Sequence, residues 1–122
     1  MKSRVVITGL GAVTPLGNDV AETWEAICRG KSGVTPITRF DCTSFETKIA
    51  AEVKGFDPLR YINKKELRRL DDFIIYALAA AEMAIADSGL VVGEEAAERT
   101  GVIIGSGIGG LATIEREKVA IL

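Results

Sequence analysis

The sequence contains no histidine, only two cysteines, and no apolar run long enough to cross a bilayer. The lack of histidine excludes Ser-His-Asp and Cys-His catalysis within these 122 residues, and any zinc site with an imidazole ligand. Cys28 and Cys42 stand in no paired spacing, so they give neither a four-cysteine metal site nor a disulfide framework. That cysteine usage fits a reducing cytosol. The opening residues, MKSRVVITGLG, lack the apolar stretch of a secretion signal. Neither sign of charge dominates: 15 Lys and Arg face 17 Asp and Glu, for a net charge of −2, which disfavours a general nucleic-acid binder. Chemistry inside the chain is left to carboxylates, lysines, backbone amides or another polypeptide.

With 48% hydrophobic and 26% charged residues, the composition predicts one soluble globular domain with a real core. Charge is uneven along it. Residues 1–70 hold 12 basic and 8 acidic side chains, whereas residues 71–122 hold 3 basic and 9 acidic ones, which hints at a partner surface.

The pattern predicts α/β structure. Arg4 to Thr8 is a β-branched run that reads as a buried strand. Gly9, Gly11, Pro15 and Gly17 then mark a loop. Asp19 with Glu22 forms a capping-box pattern, followed by a helix with Val20, Trp24 and Ile27 on one face and Gly30 as its stop. Trp24 reads as a core anchor and Cys28 as a small core residue. Lys31 to Lys54 is irregular, with a short strand within Lys48 to Val53. There Ile37, Phe40, Phe45, Ile49 and Val53 call for burial. Asp57-Pro58 and Asn63 with Glu66 are two helix starts. Asp71 or Asp72 opens the strongest helix, rich in alanine and apolar on almost every face, which predicts burial by several neighbours; Gly89 ends it. Arg99 to Gly105 reads as a second buried strand, and Leu111 to Leu122 as a last helix.

Two motifs stand out. Gly105-x-Gly107-x-x-Gly110 matches the dinucleotide fingerprint between a predicted strand and a helix, although tight strand–helix packing explains the glycines equally well. Lys65, Arg68 and Arg69, with Lys64 beside them, fall at helical spacing on one face. They suit an acidic partner or phosphates, or simply a solvated surface.

Several segments together resemble a known family. They are Arg4 to Gly11 continuing through Thr14-Pro15-Leu16-Gly17, Trp24 with Gly30 and Gly33, Phe40-Asp41, Lys64 to Asp71, and Gly101 to Gly110. The set resembles the N-terminal part of β-ketoacyl-acyl-carrier-protein synthases, above all the type II elongation enzyme of bacterial fatty-acid synthesis. The resemblance implies an incomplete N-terminal half of a thiolase-like layered α-β-α-β-α fold, spanning 1–122 and ending before its core is complete. It implies a cytoplasmic homodimer that catalyses a decarboxylating Claisen condensation without cofactor, metal, membrane or nucleic acid. The family's nucleophilic cysteine and pair of histidines have no counterpart here, so no catalytic residue is carried over and the chain alone is expected to be inactive. Lys65, Arg68 and Arg69 match the segment that docks the acyl carrier protein. Gly107 and Ile108 match a turn at the acyl pocket, where bulk at Ile108 would limit chain length. The strands from Arg4 and Val102 would be neighbours. The resemblance outweighs the nucleotide reading of the glycine turn. The alternatives are a polyketide ketosynthase, a non-catalytic carrier-binding or dimerisation module, and a small nucleotide-binding domain.

Overall fold

Local capping chemistry sets the helices of this computed structural model, which describes residues 4–121. The Asp19 carboxylate accepts the Glu22 N–H at 2.7 Å, and the Glu22 carboxylate accepts the Asn18 N–H at 2.9 Å. Helix α1 (Val20–Cys28) follows and is closed by Gly30 at φ +65°, a conformation that glycine adopts without strain. Ahead of it, Thr14 and Gly17 exchange backbone hydrogen bonds in a tight turn, and the Thr14 hydroxyl accepts the Leu16 N–H. Strands β1 (Val34–Pro36) and β2 (Ile49–Ala51) pair antiparallel, with Thr35 opposite Ala50. Asp57 caps a 3-10 turn at Pro58–Arg60, and Asn63 caps α2 (Lys64–Leu67). The long helix α3 (Asp72–Ser88) ends at Gly89, φ +63°. Two further helices, α4 (Glu94–Ala97) and α5 (Leu111–Ile121), complete the described chain.

Packing centres on α3. Ile75 and Ala79 of that helix, with Ile62 and Ala26, are the buried apolar side chains among the described residues. Phe56 stacks on Tyr61 at 5.8 Å and meets Tyr76 edge-on at 5.2 Å, which fixes the 3-10 turn against α3. The segment around Leu10 lies along the far end of α3. Side chains at Gly9 and Gly11 would collide with the carbonyls of Ala84 and Ala80, so only glycine permits this approach.

Several expectations are corrected. Residues 4–8 and 99–105 form no strand, and no ladder joins them among the described residues. A strand needs a hydrogen-bonded neighbour, and none is present beside either segment. Their side chains are exposed, Val5 at 93% and Ile103 at 100%. Trp24 is not a core anchor but 65% exposed, and Cys28 is exposed too. That face of α1 is only partly covered: Val20 is half-buried and borders a shallow pocket with Trp24, Leu10 and Met83, and the helix's one buried residue is Ala26. Phe40, Phe45 and Ile49 are likewise exposed, and α3 keeps Leu78 and Ile85 in solvent rather than being enclosed. The accessible surface is 10263 Å². A self-contained globule of 13.0 kDa exposes about 6,300 Å², so these 122 residues do not close a core among themselves. No described helix is long and apolar enough to cross a membrane.

Candidate functional site

The basic cluster owes its shape to Asn63. Its side-chain oxygen accepts the N–H groups of Lys65 and Glu66 at 3.1 and 3.0 Å, and its amide donates to the Glu66 carboxylate at 2.6 Å. This reciprocal cap starts α2 and occupies the acid that would otherwise neutralise the neighbouring cations. The helix lasts one turn, shorter than the spacing of the basic residues implies, and Arg68 is already its C-cap. The Arg69 N–H then bonds to the Glu66 carbonyl at 2.8 Å and continues the turn. Lys64, Lys65, Arg68 and Arg69 consequently line one shallow depression of about 440 Å³. All four are exposed, and none forms an ion pair among the described residues.

A second feature borders the start of α3. A cleft of about 730 Å³ is lined by Phe40, Phe73, Tyr76, Gly109, Gly110 and Leu111, with Arg39 and Asp72 at its edge. Arg39 pairs with Asp72 at 3.0 Å. That bond, reinforced by Tyr76, raises the guanidinium above its ordinary value. The Glu52 carboxylate accepts the Thr38 hydroxyl at 2.6 Å and the N–H groups of Thr38 and Arg39 at 3.1 and 3.3 Å, which holds it below the usual carboxylate range. These contacts were not visible in the sequence, because they join residues 13 to 33 positions apart in an irregular stretch.

Gly107 and Ile108 do not line this cleft. The turn projects into open space: side chains at Gly105 or Gly107 would touch nothing, and Ile108 is 76% exposed. The nucleotide reading fits the geometry poorly. The start of α5, where a pyrophosphate would sit, holds the Asp71 carboxylate against Gly110 and hydrogen-bonded to Thr113 at 2.8 Å. A second anion there would be repelled.

Among the described residues no cluster of His, Cys, Asp and Glu could hold a metal. Neither cysteine lines the cleft, and Cys28 sits at the C-terminal, electrostatically negative end of α1. Neither of these features brings together a nucleophile and a base.

The model of the β-ketoacyl synthase N-terminal domain matches residues 2–120. The chain belongs to the β-ketoacyl synthase family. It is 54% identical over 121 residues to 3-oxoacyl-(acyl-carrier-protein) synthase 2 of Coxiella burnetii, and 50% identical to the Vibrio cholerae enzyme of that name. Each alignment covers 99% of this chain and 29% of the relative, so these residues span under a third of the curated relatives' length. Among solved structures, a type II polyketide acyl carrier protein in complex with its ketosynthase, AntDE:AntF, gives a TM-score of 0.78 at 32% identity, over 99% of this chain and 32% of that one. The ishigamide ketosynthase/chain length factor gives 0.73 at 32% identity, over 95% and 30%. The fold is thus a partial α/β domain of the thiolase-like ketosynthase type.

Proposed function

We propose that the chain is the N-terminal part of a type II β-ketoacyl-acyl-carrier-protein synthase of fatty-acid synthesis. The observation that carries this reading is identity of 43% to 54% over 99% of the chain to relatives named 3-oxoacyl-(acyl-carrier-protein) synthase 2. The whole enzyme transfers an acyl chain from its carrier thioester to a cysteine thiol, and the carrier leaves as its free thiol. Malonyl carrier then loses CO₂, the resulting carbanion attacks the thioester carbonyl, and the thiolate leaves as the 3-oxoacyl carrier forms. These 122 residues contain no histidine, and in this reading the family's nucleophilic cysteine and pair of histidines lie elsewhere in the enzyme. The chain alone is inactive, and the whole enzyme works as a cytoplasmic homodimer.

Lys65, Arg68 and Arg69 dock the acidic carrier protein. Support comes from their exposure, their shared depression and their lack of ion-pair partners among the described residues. Gly107 and Ile108 border the acyl chain. Their exposed turn is the kind of surface that becomes a wall once the remaining polypeptide closes over it.

A second reading, a polyketide ketosynthase, draws on the AntDE:AntF similarity. It keeps the chemistry and the carrier and changes only the acyl substrate. The test is elongation of saturated acyl carrier by a purified full-length synthase bearing this sequence, with malonyl carrier as donor. Extension supports the fatty-acid reading. Extension of only poly-β-ketone chains selects the polyketide reading, and release of no CO₂ with either refutes both.

A further inference from the structure

We propose that Asp71 is a positioning residue, whose carboxylate ties the glycine turn carrying Ile108 to the start of α3 so that acyl-chain selectivity depends on the tie. The inference rests on the functional reading above for the role of Ile108.

Asp71 occupies the N-cap position of α3, where aspartate ordinarily accepts an N–H from the first turn. Asp19, Asp57 and Asn63 all do so at their own helices. Asp71 makes no such side-chain bond. Its carboxylate instead accepts the hydroxyl of Thr113, in the first turn of α5, at 2.8 Å in a part-buried contact. Arg116 donates to the same Thr113 oxygen at 3.2 Å, which leaves the hydroxyl hydrogen free for Asp71. The carboxylate also meets the positive end of the α5 dipole, where an anion is favoured.

Gly110 completes the contact. A side chain there would displace the Asp71 carboxylate, so glycine leaves room for the carboxylate at the start of α5. One residue earlier, Gly109 turns the chain at φ +75°, close to the Phe73 ring of α3. A side chain at Gly105 or Gly107 would touch nothing and Ile108 is exposed, so among the described residues this contact is the tie that lies next to the turn. The same first turn of α3 holds Arg39 through Asp72 and directly follows the basic segment ending at Arg69. Helix capping does not explain this arrangement, because the capping bond is the one that is missing.

The test uses the full-length synthase bearing this sequence, with the variants Asp71→Ala, Thr113→Val and Thr113→Ser. Two quantities are read: amide hydrogen exchange over residues 105–113, and the ratio of kcat/KM for a long against a short acyl carrier. The expected result for Asp71→Ala and for Thr113→Val is faster exchange in that segment, with the selectivity ratio shifted by about 3-fold or more. Thr113→Ser keeps the hydroxyl and restores both readouts. Combining Asp71→Ala with Thr113→Val adds nothing further, because both remove the same bond. Unchanged exchange in Thr113→Val overturns the proposal. So does an equal loss of activity at every chain length accompanied by a lower Tm, which marks mere destabilisation. If the unsubstituted protein condenses nothing, the functional reading fails instead, and the exchange measurement still decides whether Asp71 makes the tie.

Discussion

The Leu10 N–H donates to the Asp87 carboxylate at 2.9 Å, across 77 positions of sequence. Gly9 and Gly11 flank the donor and lie against the backbone of α3 at Ala84 and Ala80. The contact closes the N-terminal segment onto the far end of the helix whose N-cap is Asp71. Gly11→Ala is expected to destabilise the full-length protein by about 1–3 kcal/mol through the clash with the Ala80 carbonyl. Asp87→Ala is expected to cost about 1 kcal/mol, whereas Asp87→Asn, which still offers an acceptor oxygen, costs less. Denaturant midpoints of the variants check both.

Carrier docking gives a second prediction. Charge reversal by Lys65→Glu with Arg68→Glu should raise KM for acyl carrier by about 10-fold or more, while kcat at saturating carrier changes little. The effect should shrink at high salt, because all four cations are exposed and their attraction for an acidic partner is screened. Initial rates against carrier concentration at low and high salt separate this from a folding defect, which would lower kcat as well.

Acid sensitivity follows from Glu52. Its bonds to Thr38 and Arg39 depress its folded-state pKa below the unfolded value. The stability it contributes is therefore complete above the ordinary carboxylate range and is lost as pH falls through the depressed value. Asp41, held down by Thr43, acts with the same sign. Glu52→Gln should flatten the acid limb of a stability-against-pH curve and leave the neutral region less affected. An unchanged acid limb would remove Glu52 from the account.

The isolated 122-residue chain should report its open surface directly. Trp24 is the single tryptophan and is 65% exposed. Its emission should be red-shifted and readily quenched by acrylamide, and the chain should bind a hydrophobic dye or self-associate. In the full-length enzyme the dye signal should fall. A monomeric chain with a cooperative unfolding transition and no dye binding would contradict the surface described above.

Local chemistry was legible in the sequence and distant partnership was not. Asp19, Asp57 and Asn63 start helices where their side chains reach the first N–H groups, and Gly30, Gly89 and the Asp72–Ser88 helix lie where spacing put them. The β-branched runs at 4–8 and 102–104 carry strand composition, but pairing needs neighbours that these residues do not provide. Trp24 and Cys28 have core-like spacing yet are exposed for the same reason: periodicity marks an apolar face without saying what covers it. The basic cluster was visible because its members are close in sequence. The Asp71–Thr113 contact was not, because it spans 42 positions and its aspartate already looks like an ordinary cap.

In the proposed function, these residues work as part of a longer condensing enzyme. The most direct measurement is the intact mass of the polypeptide that carries this sequence in its source, with malonyl-dependent chain extension assayed on the same purified species. The account predicts a mass well above 13.0 kDa in a fraction that extends acyl carrier. A 13.0 kDa species that itself extends acyl carrier, or a larger one that carries the sequence and releases no CO₂ from malonyl carrier, would contradict it.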